Sequence, residues 1–196
     1  IDPKPRATME ENYTAMIADL QWTVQNMSDE RRGNSKYVMS KDVAKGLLAR
    51  IYTEAGQYAE AKVLAGELAS KYPLMTEEEY KKGFSDTGVS ECIWGLPTSA
   101  KNMNANFCMQ TIWSHPRKHK RWSINFVFLN DLFVDLFTES DVRKELITLN
   151  PVVGDAERYP ERKYVSTKIM DPDDAQKLPD VLLMRSSEMI LLQAEC

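Results

Sequence analysis

Between residues 9 and 27, "MEENYTAMIADLQWTVQNM", apolar side chains recur at Tyr13, Met16, Ile17, Leu20, Val24 and Met27, the spacing of one face of a helix. Thr8 and Glu11 fit a capping box at its start, each able to satisfy a backbone donor near the other. A polar loop over 28–39 follows, and then the period resumes. Ser40 is placed to cap a helix running to about Ala55, Gly56 ends it, and Gln57 to Lys71 make a second helix that stops before Pro73. Helices joined by so short a turn must pack side by side. The pattern therefore predicts an antiparallel hairpin over 40–72, with Ala49 and Ala61 at the close contact.

This hairpin fits the tetratricopeptide unit, a helix–turn–helix of about 34 residues. Leu48 and Ala49 precede the aromatic Tyr52, Gly56 falls at the turn, and Tyr58 follows two later. Ala61, Leu68 and Pro73 take the small, apolar and stop positions. An ordinary helical hairpin is the alternative. Such units usually bury a continuous core by stacking on their neighbours, yet the chain shows one clear copy.

After Pro73 the periodicity weakens. "ECIWGLP" at 91–97 alternates like a short strand, and the polar and aromatic stretch 98–123 reads as a loop. "NFVFLNDLFVDLFTESDVRKELI" (125–147) returns to helical spacing through Phe128, Leu132, Leu136 and Phe137. "RKYVSTKI" (162–169) reads as extended. A final helix is expected from near Leu182 or Arg185, with Met189, Leu191, Leu192 and Ala194 facing inward. Trp22 and Trp94 read as core. Arg185 and Glu188, three apart on that helix, would pair, and Asp141 with Arg143 would lock a turn.

Composition narrows the function classes. The 196 residues are 43% hydrophobic and 28% charged, the balance of a globular protein, and no apolar run is long enough to span a bilayer. "IDPKPRATMEENY" lacks the basic start and apolar stretch of a secretory signal. The start is not Met, and "RSSEMILLQAEC" stops inside a helical pattern, so residues 1–196 are expected to be an internal segment of one domain. Within it, 9–75 read as the tetratricopeptide-like helices, 76–181 as a loop-rich region, and 182–196 as the start of a further helical hairpin. Cys92, Cys108 and Cys196 form no metal-ligand spacing, and their odd number argues against a closed disulfide framework. They read as buried thiols.

The order of segments resembles the SusD/RagB family, glycan-binding lipoproteins of the Bacteroidetes outer membrane. The resemblance rests on the hairpin "AKGLLARIYTEAGQYAEAKVLAGEL", the strand "ECIWGL", the turn "TESDVR", "RKY" at 162–164, and the helix "LLMRSSEMILLQAEC". It implies a mainly α, SusD-like fold: a tetratricopeptide-like helical scaffold with a loop-rich ligand-binding region. The scaffold hairpin would stack on others, one built from 9–27 with sequence before Ile1, another begun at Arg185 and completed after Cys196. The resemblance further implies a non-catalytic, cell-surface protein of the outer membrane. Such a protein captures oligosaccharides and delivers them to a TonB-dependent, SusC-like transporter. Membrane contact would be only through a lipid anchor outside this segment. Ser186, Ser187 and Cys196 depart from the residues usual in the family's helix.

Charge and chemistry converge on one stretch. The net charge is −4, which argues against nucleic acid as a partner. From Cys92 through Asn130 there is no Asp or Glu, whereas Lys101, Arg117, Lys118, Lys120 and Arg121 are basic. "WSHPRKHKRW" (113–122) holds both histidines and two of the four tryptophans. His115 and His119 lack the further ligands that zinc requires, so neither metal nor cofactor is expected. A nucleic-acid patch fits poorly on an acidic chain. A solvated basic loop anchored by its tryptophans is one reading of the segment. Carbohydrate binding is the other, and the resemblance favours it. Sugar rings present an apolar face that stacks on aromatics, while their hydroxyls need planar donors and acceptors. Trp113 and Trp122 would be the platforms, and Arg121, Asn104, Asn106, Gln110 and His115 the polar contacts, within a ligand stretch over 97–123. The uncompensated basic charge suggests an acidic glycan. Glu188 and Glu195 make a poor glycosidase pair on one helix, and there is no Gly-rich phosphate loop or GxSxG, so no enzyme is expected. The runner-up is a tetratricopeptide scaffold binding a peptide or partner protein.

Overall fold

The structure is a computed structural model and describes residues 6–28, 30, 32–98, 127–149, 157, 159–169 and 179–196. It is mainly α-helical, and the chain divides into two compact units. The first draws on three separated stretches, up to Leu74, then Ser90–Gly95, then Leu183–Cys196.

Helix α1 (Met9–Asn26) opens with the expected capping box: the Glu11 amide donates to the Thr8 hydroxyl at 3.2 Å, and the Thr8 amide donates to the Glu11 carboxylate at 2.8 Å. That bond from the Thr8 backbone is the main cause holding the Glu11 carboxyl below its ordinary pKa. Helices α2 (Lys41–Glu54) and α3 (Tyr58–Lys71) form the predicted hairpin. Ser40 caps α2 by accepting from the Val43 amide, and Gly56 takes φ +74°, a conformation that side chains rarely adopt. Across the hairpin Lys45 meets Glu67 at 2.7 Å, Ala49 shares a buried cluster with Ala65 and Leu68, and Tyr52 shares another with Ala61. Ala49 and Ala61 are thus both fully buried, but in different layers, because antiparallel register sets Ala49 against Ala65 and Ala61 against Tyr52. α1 lays Ile17, Leu20 and Val24 on the Tyr52 layer, and Gln21 donates to the Tyr52 hydroxyl at 2.7 Å. Ala61→Leu should destabilise the protein by about 1–3 kcal/mol through overpacking, measured by chemical denaturation. An unchanged unfolding midpoint would mean that the interface has room and that small size at this position is incidental.

The other core layer is closed by strand β1 (Cys92–Leu96), strand β4 (Val181–Arg185) and helix α6 (Ser186–Glu195), with β1 and β4 in one two-stranded sheet. Met184 and Met189 are buried against Val43, Ala49, Ala65, Leu68 and Ile93. Gly46 permits this approach. A Cβ there would lie 2.2 Å from the Met184 sulfur, so the methionine would have to move within a packed core. Arg50 of α2 donates to Glu188 and to the Leu183 carbonyl, both through Nη2 at 2.7 Å. Glu91 receives Arg185 at 2.6 Å, and its carbonyl accepts from the Ser186 amide at 2.8 Å.

Three expectations need correction in this unit. Arg185 does not pair with Glu188; it is extended (φ −132°, ψ 154°), outside the helix, so the three-residue helical spacing does not apply. Trp22 is 67% exposed rather than core, because it lies about 200° around α1 from Leu20, opposite the face on α2. Leu191 and Ala194 are exposed, while Met189 is buried and Leu192 packs against the core.

The second unit comprises Met75–Val89 and Leu96–Leu182. Helix α4 (Glu77–Lys81) begins with a Thr76–Glu79 capping box, and Lys81 bridges Glu77 and Glu145, each at 2.8 Å. Those two carboxylates raise the Lys81 pKa, Glu145 most. The predicted helix over 125–147 is not formed. Helix α5 covers only Asp131–Val134, capped by Asn130, and a 3-10 turn covers Val142–Leu146. Leu132 and Leu136, which carried the helical spacing, are each 76% exposed, so no continuous apolar face is buried there. The Asp141–Arg143 lock is present. Asp141 Oδ1 accepts from the Arg143 amide at 2.9 Å, Oδ2 accepts from its guanidinium at 2.6 Å, and these bonds hold the Asp141 carboxyl below its usual range. Strands β2 (Ile147–Leu149) and β3 (Tyr164–Ser166) pair antiparallel with Thr148 opposite Val165.

Candidate functional site

The residues expected to hold ligand, Asn104, Asn106, Gln110, Trp113, His115, Arg121 and Trp122, lie outside the described residues. The second unit does describe the chain that adjoins them at either end.

On the near side, Thr98 donates its amide to Asp180 Oδ1 at 3.3 Å and its hydroxyl to the Pro179 carbonyl at 2.7 Å. Asp180 is 7% exposed, and its other oxygen accepts from the amide and hydroxyl of Thr87, both at 3.3 Å. The Asp180 amide donates to the Ser85 carbonyl at 2.8 Å. One carboxylate therefore joins three chain segments. A buried acid needs such donors, since an unsatisfied one costs several kcal/mol of solvation.

On the far side, the Leu129 amide donates to the Tyr164 carbonyl at 2.9 Å, which brings Phe128 beside the turn at Pro160–Arg162. The Arg162 guanidinium stands 4.1 Å over the Tyr159 ring and 5.7 Å from the Phe128 centroid. Lys163 stands 4.7 Å over Tyr164 and 3.7 Å from Asp131. Its pKa is raised, first by the Tyr164 side chain and then by the Asp131 charge. Cation–ring contacts of this kind are each worth about 0.5–1 kcal/mol where exposed.

Sequence reasoning missed Thr98, Asp180 and Tyr159, and it treated Arg162 only as part of "RKY". Asp180 stands alone before an apolar strand, with no spacing to mark it; its role exists only where three distant segments meet. Glu188, weighed as half of a glycosidase pair, is held by Arg50. Among the described residues, no group of three or more His, Cys, Asp and Glu could hold a metal, and no helix is long and apolar enough to cross a membrane.

No family model and no curated protein matches the chain. Solved structures do. A SusD-like carbohydrate binding protein from Bacteroides vulgatus matches at TM-score 0.78 and 27% identity, over 98% of this chain and 40% of that one. A SusD superfamily protein from Bacteroides thetaiotaomicron matches at TM-score 0.77 and 21% identity, over 99% and 44%. Surface glycan-binding protein A from Bacteroides uniformis matches at TM-score 0.64 and 15% identity, over 97% and 45%, a likeness of fold alone. The chain spans about two fifths of the length of the first two structures.

Proposed function

We propose that this chain, SusD-like in fold, is part of a surface protein that captures oligosaccharide without acting on it chemically. The observation that carries this reading is the match over 98% of the chain to a SusD-like carbohydrate binding protein at 27% identity. The stretch 97–123 supplies the ligand contacts, with Trp113 and Trp122 as stacking platforms and Arg121, Asn104, Asn106, Gln110 and His115 around them. Binding residues concentrate on long irregular segments, and the chain entering this one is held at Thr98 by Asp180 and the Pro179 carbonyl. The intact protein passes its sugar to a TonB-dependent, SusC-like transporter at the outer membrane and is held at the cell surface by a lipid anchor.

The five basic residues between Lys101 and Arg121 point further, to an acidic glycan. Attraction between exposed charges is screened over about 8 Å at physiological ionic strength, so affinity for an acidic oligosaccharide should fall as salt is added. Affinity for a neutral one should hardly change. The test is a glycan array on the intact protein, followed by calorimetric titration of its best binders at two salt concentrations. Binding of oligosaccharide supports the reading. An array with no oligosaccharide bound, and in particular a peptide bound instead, would overturn it; salt-insensitive glycan binding would remove only the acidic specificity.

A further inference from the structure

We draw no further inference here: the strongest candidate, the outward face of α1 where Trp22 stands 67% exposed at helical spacing from Ala15 and Ala18, carries nothing, because the Glu11 carboxylate on that face is engaged in the helix cap and nothing in the structure shows what covers it.

Discussion

Arg185→Met is expected to destabilise the protein by about 3–5 kcal/mol, the scale for removing one partner of a buried ion pair. The Glu91 side chain is 6% exposed and takes its guanidinium bond at 2.6 Å. Without Arg185 the carboxylate keeps only a 3.4 Å contact with the Ser187 hydroxyl and the field of the α6 N-terminus. The Arg185 side chain is itself one-third exposed, which places the effect toward the lower end. Glu91→Gln combined with Arg185→Met should recover much of the loss, because no charge is then left buried. Urea unfolding of the wild type, both single variants and the pair gives the coupling. If the double variant is no more stable than Arg185→Met, the arginine acts through packing and the charge argument is wrong.

For binding, the largest expected effect is at the tryptophans. Trp113→Ala and Trp122→Ala should each weaken glycan affinity by about 1–3 kcal/mol if sugar stacking matches base stacking on aromatics in size. The Lys118→Ala change should be much smaller, since an exposed charge interaction is worth at most about 1 kcal/mol. Calorimetric titration of the three variants, with folding checked by circular dichroism, separates the contributions. Should both tryptophan variants bind like wild type, these side chains belong to the scaffold, and the platforms must be sought among other aromatics.

The hairpin was legible in the sequence because its signals are local and agree. Ser40 caps, Gly56 turns, and the small and large apolar residues recur at helical spacing, so each choice supports the same structure. The expectations failed where tertiary context decides. Leu132, Leu136 and Phe137 keep helical spacing, yet Val134 is the residue buried in α5, and the chain turns instead of continuing. The sequence leaves the final helix starting near Leu182 or near Arg185, and the structure takes the later start, since Val181–Arg185 pairs with β1 as a strand and the helix begins at Ser186. The local pattern does not choose between the two starts, and the contact that marks the later one is Glu91, 94 positions away, which accepts from Arg185 and from the Ser186 amide. Trp22 misled for a related reason: Leu20 and Val24 lie two residues to either side of it, but they share with Ile17 the face that meets the hairpin, and Trp22 does not. The platform residues were picked by type and concentration, and their placement lies outside the described residues.

The discontinuity of the first unit has a consequence for how the protein is made. Arg50 must find Glu188, 138 positions later, and the layer holding Ala49, Ala65 and Leu68 receives Met184 and Met189 only once those later residues have been made. At about 5–20 residues per second, the stretch from Lys71 to Ser186 takes about 6–23 s to synthesise. Throughout that interval the α2–α3 hairpin stands complete in its local signals while one apolar face waits for a partner still on the ribosome. That face is therefore expected to need shielding from other nascent chains until Met184 and Met189 reach it.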